Sequence, residues 1–183
     1  GRMVRLHRAT GRVLGETPLT DCPTELDHVT AARDAETWYV AASTRVTQQA
    51  GLQQAQVRSG YRSPFFEGPL FAIDRSTGRV LWQRRLEREP FSPDQPRSLP
   101  VLMQLHKEPP KDPGAGQITD GVLRLIDKRT GDVWLDHRGP EWIGYAAVTA
   151  TRGRETLDVA LERETLRLHF RLRPPAPAMP MTP

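Results

Sequence analysis

The sequence is poor in several residue types that particular sites require. Cys22 is the one cysteine among 183 residues, so no disulfide can form within the chain. There is no asparagine, which removes every acceptor for N-glycosylation. No apolar run reaches the roughly 18 residues that a membrane-spanning helix needs, and we therefore predict no membrane span.

Catalytic and nucleotide-binding motifs are also absent. Neither the G-x-S-x-G elbow, the G-x-x-x-x-G-K-[ST] loop nor the G-x-G-x-x-G fingerprint occurs. The five histidines are far apart, and none stands at a metal-ligand spacing from another ligand of the usual kind. Cys22 precedes Pro23 and has no neighbouring activating group. We predict no catalytic residue, no metal ligand and no cofactor.

Positive charge is in excess but is not gathered into a patch. The net charge is +4, and only Lys107, Lys111 and Lys128 among the 26 basic residues are lysine. The arginines alternate with acidic residues, as in the segments 84–89 and 162–164. This pattern predicts a solvated surface of mixed charge and no nucleic-acid partner.

What the sequence does contain is a repeated hairpin pattern. An apolar run leads into a polar turn that ends in Thr-Gly, and a second apolar run follows the turn. In the clearest copy, Asp74 is suited to accept backbone N–H bonds and Gly78 to adopt a positive φ. Three copies at uneven spacing indicate a repeat protein that carries insertions. The copies are residues 3–14, 70–82 and 123–134.

The second copy resembles the A-x-D-x-x-T-G-x-x-x-W docking motif of the quinoprotein-like (PQQ-like) β-propeller repeats. The resemblance implies that Trp82 is buried between neighbouring blades and that Trp134 takes a similar but shifted place. The first copy has Arg5, His7 and Gly15 at the Ala, Asp and Trp positions of the motif. The third copy has leucine at the Ala and Trp positions. The matching residues are Ala72, Asp74, Thr77, Gly78 and Trp82 in the second copy, and Asp127, Thr130 and Gly131 in the third.

The fold expected from the pattern and the resemblance is all-β. We predict about three four-stranded antiparallel blades of an incomplete β-propeller, because a closed one needs about 4–8 blades of roughly 40–50 residues. The blades occupy residues 1–173, and the proline-rich residues 174–183 are an extended tail. The resemblance implies a C-terminal fragment of a larger bacterial propeller protein of planctomycete type. Strands are predicted near residues 3–8, 12–16, 26–33, 37–43, 70–75, 79–86, 99–106, 122–128, 132–137, 142–150, 156–162 and 165–172.

Two long connections interrupt the strands. Residues 44–68 and 107–121 each precede the third strand of a predicted blade, and equivalent connections leave a blade on the same side. One face is therefore the predicted binding face. The aromatic residues of the first connection are interpreted as a local cap, and a ligand cage is the alternative. The candidate binding loop contains Arg58, Tyr61, Arg62, Phe65 and Phe66.

More than one class of function remains open. A non-enzymatic scaffold, which binds protein partners or other blades of the same parent chain, is favoured because a fold alone confers no chemistry. The alternative is part of a PQQ-dependent quinoprotein dehydrogenase-like enzyme. A third hypothesis is carbohydrate or polymer binding through exposed aromatic side chains. The family resemblance implies a periplasmic or secreted location. The aromatic residues concerned are Trp38, Tyr39, Tyr61 and Phe66.

Overall fold

The residues that the computed structural model describes form twelve β-strands and contain no helix. The structure describes residues 1–43, 65–108, 120–139, 147–151, 156–160 and 165–170. Within them, no helix is long and apolar enough to cross a membrane. The strands are β1 (Arg2–Leu6), β2 (Val13–Pro18), β3 (His28–Arg33), β4 (Thr37–Ser43), β5 (Phe65–Asp74), β6 (Val80–Pro90), β7 (Val101–Glu108), β8 (Asp120–Asp127), β9 (Val133–Gly139), β10 (Ala147–Thr151), β11 (Thr156–Ala160) and β12 (Thr165–His169).

The predicted all-β fold and all twelve predicted strands are confirmed. The strand β5 begins at Phe65, five residues before the predicted start at residue 70. The strand β10 begins at Ala147, and residues 142–146 of the predicted strand lie outside the described residues. Pro69 is tolerated inside this strand and pairs with Arg85 of β6. The predicted tail at 174–183 lies outside the described residues.

The strands form four antiparallel sheets in chain order. The first sheet is β1–β2, the second β3–β6, the third β7–β9 and the fourth β10–β12. The second sheet has the four strands that the sequence predicted for a blade. The other three have two or three strands each among the described residues, so four-stranded sheets are fewer than expected.

The three predicted hairpin copies have the same backbone construction. In each turn, the N–H of the first residue donates to the C=O five residues on, and the glycine N–H donates back to the C=O of the first residue, at 2.8–2.9 Å. Each hairpin also has a register shift at the strand residue before the turn. The turn glycines have φ of 66°, 78° and 79°, values that L side chains rarely adopt. The first residues and glycines of the turns are His7 and Gly11, Asp74 and Gly78, and Asp127 and Gly131.

The sheets are stacked face to face in the order of the sequence. Because side chains of a strand alternate between its two faces, the second sheet contacts two neighbours. Phe71 and Ile73 pack against Leu19 on the side of the first sheet. Trp82, Leu70 and Leu86 pack with Leu102 and Ile126 on the side of the third sheet. The other face of the third sheet packs on the fourth through Val101, Leu123, Leu125, Leu157 and Val159.

A side chain covers part of the open edge of the third sheet. The Gln95 amide donates to the C=O of Met103 at 3.1 Å, and its Oε1 accepts from the N–H of Met103 at 2.7 Å. The strand of the second sheet equivalent to β7 is β4, and its corresponding edge is covered by β3. The Gln95 side chain therefore replaces one residue of a neighbouring strand at the edge of β7.

Candidate functional site

The side chain of Asp74, the first residue of its turn, stabilises that turn, as the sequence predicted. Asp74 Oδ1 accepts from the N–H groups of Ser76 and Thr77 at 2.9 and 2.7 Å, and from their hydroxyls at 2.7 and 2.8 Å. The bond from the Ser76 hydroxyl, with those from Thr77, holds the pKa of Asp74 well below its usual range. The carboxylate therefore stays ionised and fixes the shape of the turn.

Trp82 occupies the seam between the second and third sheets, as expected. Its side chain is buried, and its Nε1–H donates to the C=O of Lys128 at 2.8 Å. The ring lies directly over the third turn: a Cβ added to Gly131 would be 2.8 Å from ring carbon Cε3. Glycine is thus required there both for its positive φ and for the space that the ring occupies.

Arg5 occupies the seam between the first and second sheets in the same manner. Its guanidinium donates to the C=O groups of Arg75, Ser76 and Thr77 at 3.1, 2.8 and 3.3 Å. A Cβ added to Gly78 would be 3.3 Å from Arg5 Nε. Arg75 and Lys128 are each the second residue of their turn. In both seams, therefore, a side-chain N–H of the preceding sheet donates to the C=O of the second turn residue.

The two seams use the same cross-strand pair, but the large and the small residue of the pair have changed places between the two strands. Arg5 pairs with Gly15, and Ala72 pairs with Trp82, in equivalent registers. The large side chain comes from the first strand of one hairpin and from the second strand of the other, and its partner is small. In the third hairpin both members are of medium size, Leu125 and Leu135, and both pack towards the fourth sheet. We call these three pairs the docking pairs.

A second contact repeats beside each occupied turn glycine. Thr17 Oγ1 donates to the C=O of Gly78 at 2.5 Å, and Arg84 Nη1 donates to the C=O of Gly131 at 3.2 Å. Thr17 and Arg84 each lie two residues beyond the docking pair on the returning strand. The backbone carbonyls of the turn are therefore satisfied from the preceding sheet, which favours one fixed orientation between sheets.

Trp134 differs from the prediction. Its side chain is 48% exposed, and its ring stacks on Phe170 at a centroid distance of 6.4 Å. It occupies the hairpin position of Leu81, which is 50% exposed, whereas Leu135 occupies the position of Trp82. The expectation of a similar but shifted place for Trp134 was wrong, because the register shift between Leu125 and Ile126 leaves Trp134 as the unpaired residue of a bulge and puts Leu135 at the position of Trp82.

A buried lysine links the second and third sheets beside Trp82. Lys128 Nζ donates to the C=O of Pro96 at 2.9 Å and lies 3.6 Å from Asp34 Oδ2. Its ammonium is also 5.8 Å from the centre of the Tyr39 ring. Burial lowers the pKa of Lys128, and the Asp34 carboxylate opposes this shift. The lysine thus links its own turn to Pro96, Asp34 and Tyr39.

Asp34 organises the other side of this contact. Its Oδ1 accepts from the N–H groups of Glu36 and Thr37, and its Oδ2 accepts from the Tyr39 hydroxyl at 2.8 Å. Burial alone would raise the pKa of Asp34, but the bond from Tyr39, the backbone donors and Lys128 together lower it. Burial and the bond to Asp34 raise the pKa of Tyr39. Tyr39 is buried and occupied, so it is not an exposed platform for a carbohydrate.

Charged side chains form a second network in the same seam. Glu89 Oε1 pairs with Arg124 at 2.6 Å, and its Oε2 accepts from Gln104 at 3.1 Å and lies 3.5 Å from Arg84. Arg124 also donates to Asp136 at 2.8 Å. Because every charge in this group has an opposite charge in contact, it is a structural ion-pair network rather than an open site for an anion.

The predicted binding face corresponds to one end of the stack, which we call the loop end. The connections 44–64 and 109–119 join equivalent pairs of strands, β4 to β5 and β7 to β8, so both leave from the same end. Phe65 and His106, which lie beside the two connections, meet edge to face at 5.8 Å between ring centres. The opposite end carries the three hairpin turns, and we call it the turn end.

The candidate binding loop is only partly described. Arg58, Tyr61 and Arg62 lie outside the described residues. Phe66 is fully buried between His28 and Phe91, so it belongs to the core and is not an exposed anchor. Phe65 is half-buried at the loop end. The inclusion of Phe66 in the candidate binding loop and among the exposed aromatic side chains was wrong, because Phe66 lies within β5 and is buried there.

The remaining aromatic and metal-binding candidates give no open site in the described parts of the chain. Trp38 is half-buried, with the guanidinium groups of Arg33 and Arg75 each 5.5 Å from the centre of its ring. Among the described residues, no three His, Cys, Asp or Glu side chains are grouped as metal ligands would be. Comparison with family models, curated proteins and solved structures found no match to this chain.

Proposed function

We propose that the chain is a segment of a quinoprotein-like β-propeller repeat that acts as a non-enzymatic scaffold and binds protein partners at its loop end. The observation that carries the proposal is the repeated seam. Twice in succession, the large member of a docking pair lies on the turn glycine of the next sheet and donates to the equivalent backbone carbonyl. This repeated joining of successive antiparallel sheets supports the proposed propeller architecture.

The seams also support a scaffold rather than a chemical role for the motif residues. Asp74, Thr77 and Gly78 are engaged in turn and seam contacts, and Trp82 is buried between sheets. Their polar groups are directed to neighbouring backbone atoms. Binding at a repeat scaffold is expected in connections that leave a single face, and both long connections start at the loop end.

The test is a comparison of shortened variants of the 183-residue chain. One variant replaces residues 44–64 and 109–119 with short Gly/Ser linkers, and the matched control lacks residues 171–183. Circular dichroism establishes that each variant keeps its β-sheet content. We expect the loop-shortened variant to lose partners captured by the natural chain and the control to keep them. An unchanged set of partners in the loop-shortened variant would show that binding uses another face.

Lysine crosslinking gives an independent map of the binding face. Lys107 is the second-last residue of β7, at the loop end, and Lys111 belongs to the connection that follows. Lys128 lies at the turn end and is buried, which makes it an internal negative control. Partners should crosslink through Lys107 and Lys111, and a Lys107→Arg, Lys111→Arg variant should lose these crosslinks while still binding. Stoichiometric binding of quinone with Ca²⁺ in calorimetry would instead favour the dehydrogenase alternative.

A further inference from the structure

The first hairpin turn has the same construction as the other two, but its outer side is open. A Cβ added to Gly78 or Gly131 would meet atoms of the preceding sheet at 2.9 or 2.8 Å. At Gly11, no atom of the described residues lies within 4 Å of that position. The turn glycines of the second and third hairpins are buried, and Gly11 is exposed.

The strands beside Gly11 expose apolar side chains, and the counterparts of those on β1 are covered in the second hairpin. Val4, Leu6 and Val13 are 38%, 56% and 53% exposed. The residues at the positions of Val4 and Leu6 in the second hairpin are Phe71 and Ile73, and both are fully buried on the side of the first sheet. The first sheet therefore presents the same receiving face as the second sheet, without a covering sheet among the described residues.

The far end of the stack has a different outer surface. In the fourth sheet, Thr165, Arg167 and His169 are exposed, and Arg167 makes two bonds to Asp158 at 2.8 and 3.1 Å. A polar outer face of this kind is typical of a terminal capping repeat. A second copy stacked head to tail would bury this ion pair against valine and leucine, which is unfavourable. The face beside Gly11 thus does not match the far end of another copy.

We propose that the surface of Val4, Leu6, Val13 and Gly11 docks a further antiparallel blade of the same type as the second sheet. This inference rests on the repeat architecture given under the proposed function. The docked blade presents a large docking side chain, tryptophan or arginine, over Gly11. By equivalence with Arg75 and Lys128, its N–H group donates to the C=O of Arg8. A donor two residues further along its returning strand binds the C=O of Gly11.

A tandem protein tests this proposal while the whole natural chain is kept. A second copy of residues 26–90, which includes all of the second sheet, is joined to Gly1 by a flexible linker of about 25 residues. The matched control carries Trp82→Ala in the added copy alone. Hydrogen exchange is measured by mass spectrometry on peptides that cover residues 1–18. We expect exchange there to be about tenfold slower or more in the tandem protein than in the natural chain.

The control should return the exchange rate of residues 1–18 to that of the natural chain, and Val4→Glu in the receiving face should do the same. Equal exchange in the tandem protein and the natural chain would overturn the proposal. An added copy that remains unfolded by circular dichroism would overturn it too, because the surface is proposed to bind a folded blade. A stable homodimer of the natural chain, abolished by Val4→Glu, would identify a second copy as the occupant and also overturn it.

The repeat architecture itself is tested separately. In the natural chain, Trp82→Ala should speed exchange in residues 120–139. If it does so and the tandem protein shows no protection, only the open docking surface is refuted. If it does not, the seam on which the proposed function rests is refuted as well.

Discussion

Replacement of Trp82 is the sharpest test of the seam between the second and third sheets. The Trp82→Ala variant removes a side chain that is only 9% exposed and that covers Gly131. Truncation of a buried tryptophan typically lowers the free energy of unfolding by about 3–5 kcal/mol. Part of this arises because the C=O of Lys128 loses its donor, and a buried unsatisfied carbonyl costs roughly 1–3 kcal/mol.

Two matched variants separate the parts of this effect. Trp82→Phe keeps most of the ring area but removes the Nε1–H, so the unsatisfied C=O of Lys128 should cost roughly 1–3 kcal/mol. Trp134→Ala removes the same residue type at a half-exposed position, where we expect about 1 kcal/mol or less. The order of destabilisation should therefore be Trp82→Ala, then Trp82→Phe, with Trp134→Ala at or below the second.

The assay is urea denaturation at 25 °C followed by far-ultraviolet circular dichroism, since fluorescence would lose its own reporter. Free energies of unfolding are obtained by linear extrapolation, and equal slopes for the three variants show that the same surface is exposed. A Trp82→Ala protein within about 1 kcal/mol of the natural chain would refute the seam argument. Equal costs for Trp82→Ala and Trp134→Ala would refute it too, because burial would then not govern the loss.

Three further predictions follow from the contacts of single side chains. Asp34→Asn should destabilise the protein at pH 7. Because folding lowers the pKa of Asp34, the stability that its carboxylate contributes is complete above a pH of about 3.9 and is lost as the pH falls through the lower folded pKa. Urea titrations should therefore show that the difference in unfolding free energy between Asp34→Asn and the natural chain closes in acid. Gln95→Glu should destabilise the protein at pH 7, since a carboxylate cannot donate to the C=O of Met103, and should speed hydrogen exchange of the Met103 amide. The stability should recover at low pH. An unaltered exchange rate of this amide would contradict the role of Gln95 at the edge of β7. Gly15→Trp alone should be destabilising because its ring would need the place that the Arg5 guanidinium fills in the seam. Arg5→Ala with Gly15→Trp should recover part of the loss in a double-mutant cycle, and additive effects would contradict the exchange of large and small residues between the docking pairs.

The hairpins were predictable because their information is local. A period of two in the apolar residues defines the strands, and the Thr-Gly turn with Asp74 at its start contains its own hydrogen-bond partners. For the same reason the pairs β3–β4 and β5–β6 of the second sheet could be predicted, since consecutive strands joined by short turns pair with each other. The burial of Trp82 followed from the motif together with its apolar flanks.

The sequence alone did not determine how the outer hairpins dock. Arg5 and Gly15 do not match the motif one by one, and only their register across β1 and β2 shows that they form one pair equivalent to Ala72 and Trp82. A pattern read along one strand cannot detect an exchange of size across two strands. The exposure of Trp134 was missed for a related reason, because only the register of β8 with β9 shows that Trp134 is the unpaired residue of a bulge.

The sequence by itself therefore determined the strands, the turns and the all-β class, since each depends on residues close together in the chain. The tertiary structure decided which side chains meet across the seams: Arg5 on the second turn, Trp82 on the third, and Gln95 on the edge of β7. It also decided that Phe66 is core rather than surface and that the face beside Gly11 is open. These features depend on the stacking of sheets distant in sequence, where the partner of a side chain is set by geometry and not by its neighbours along the chain.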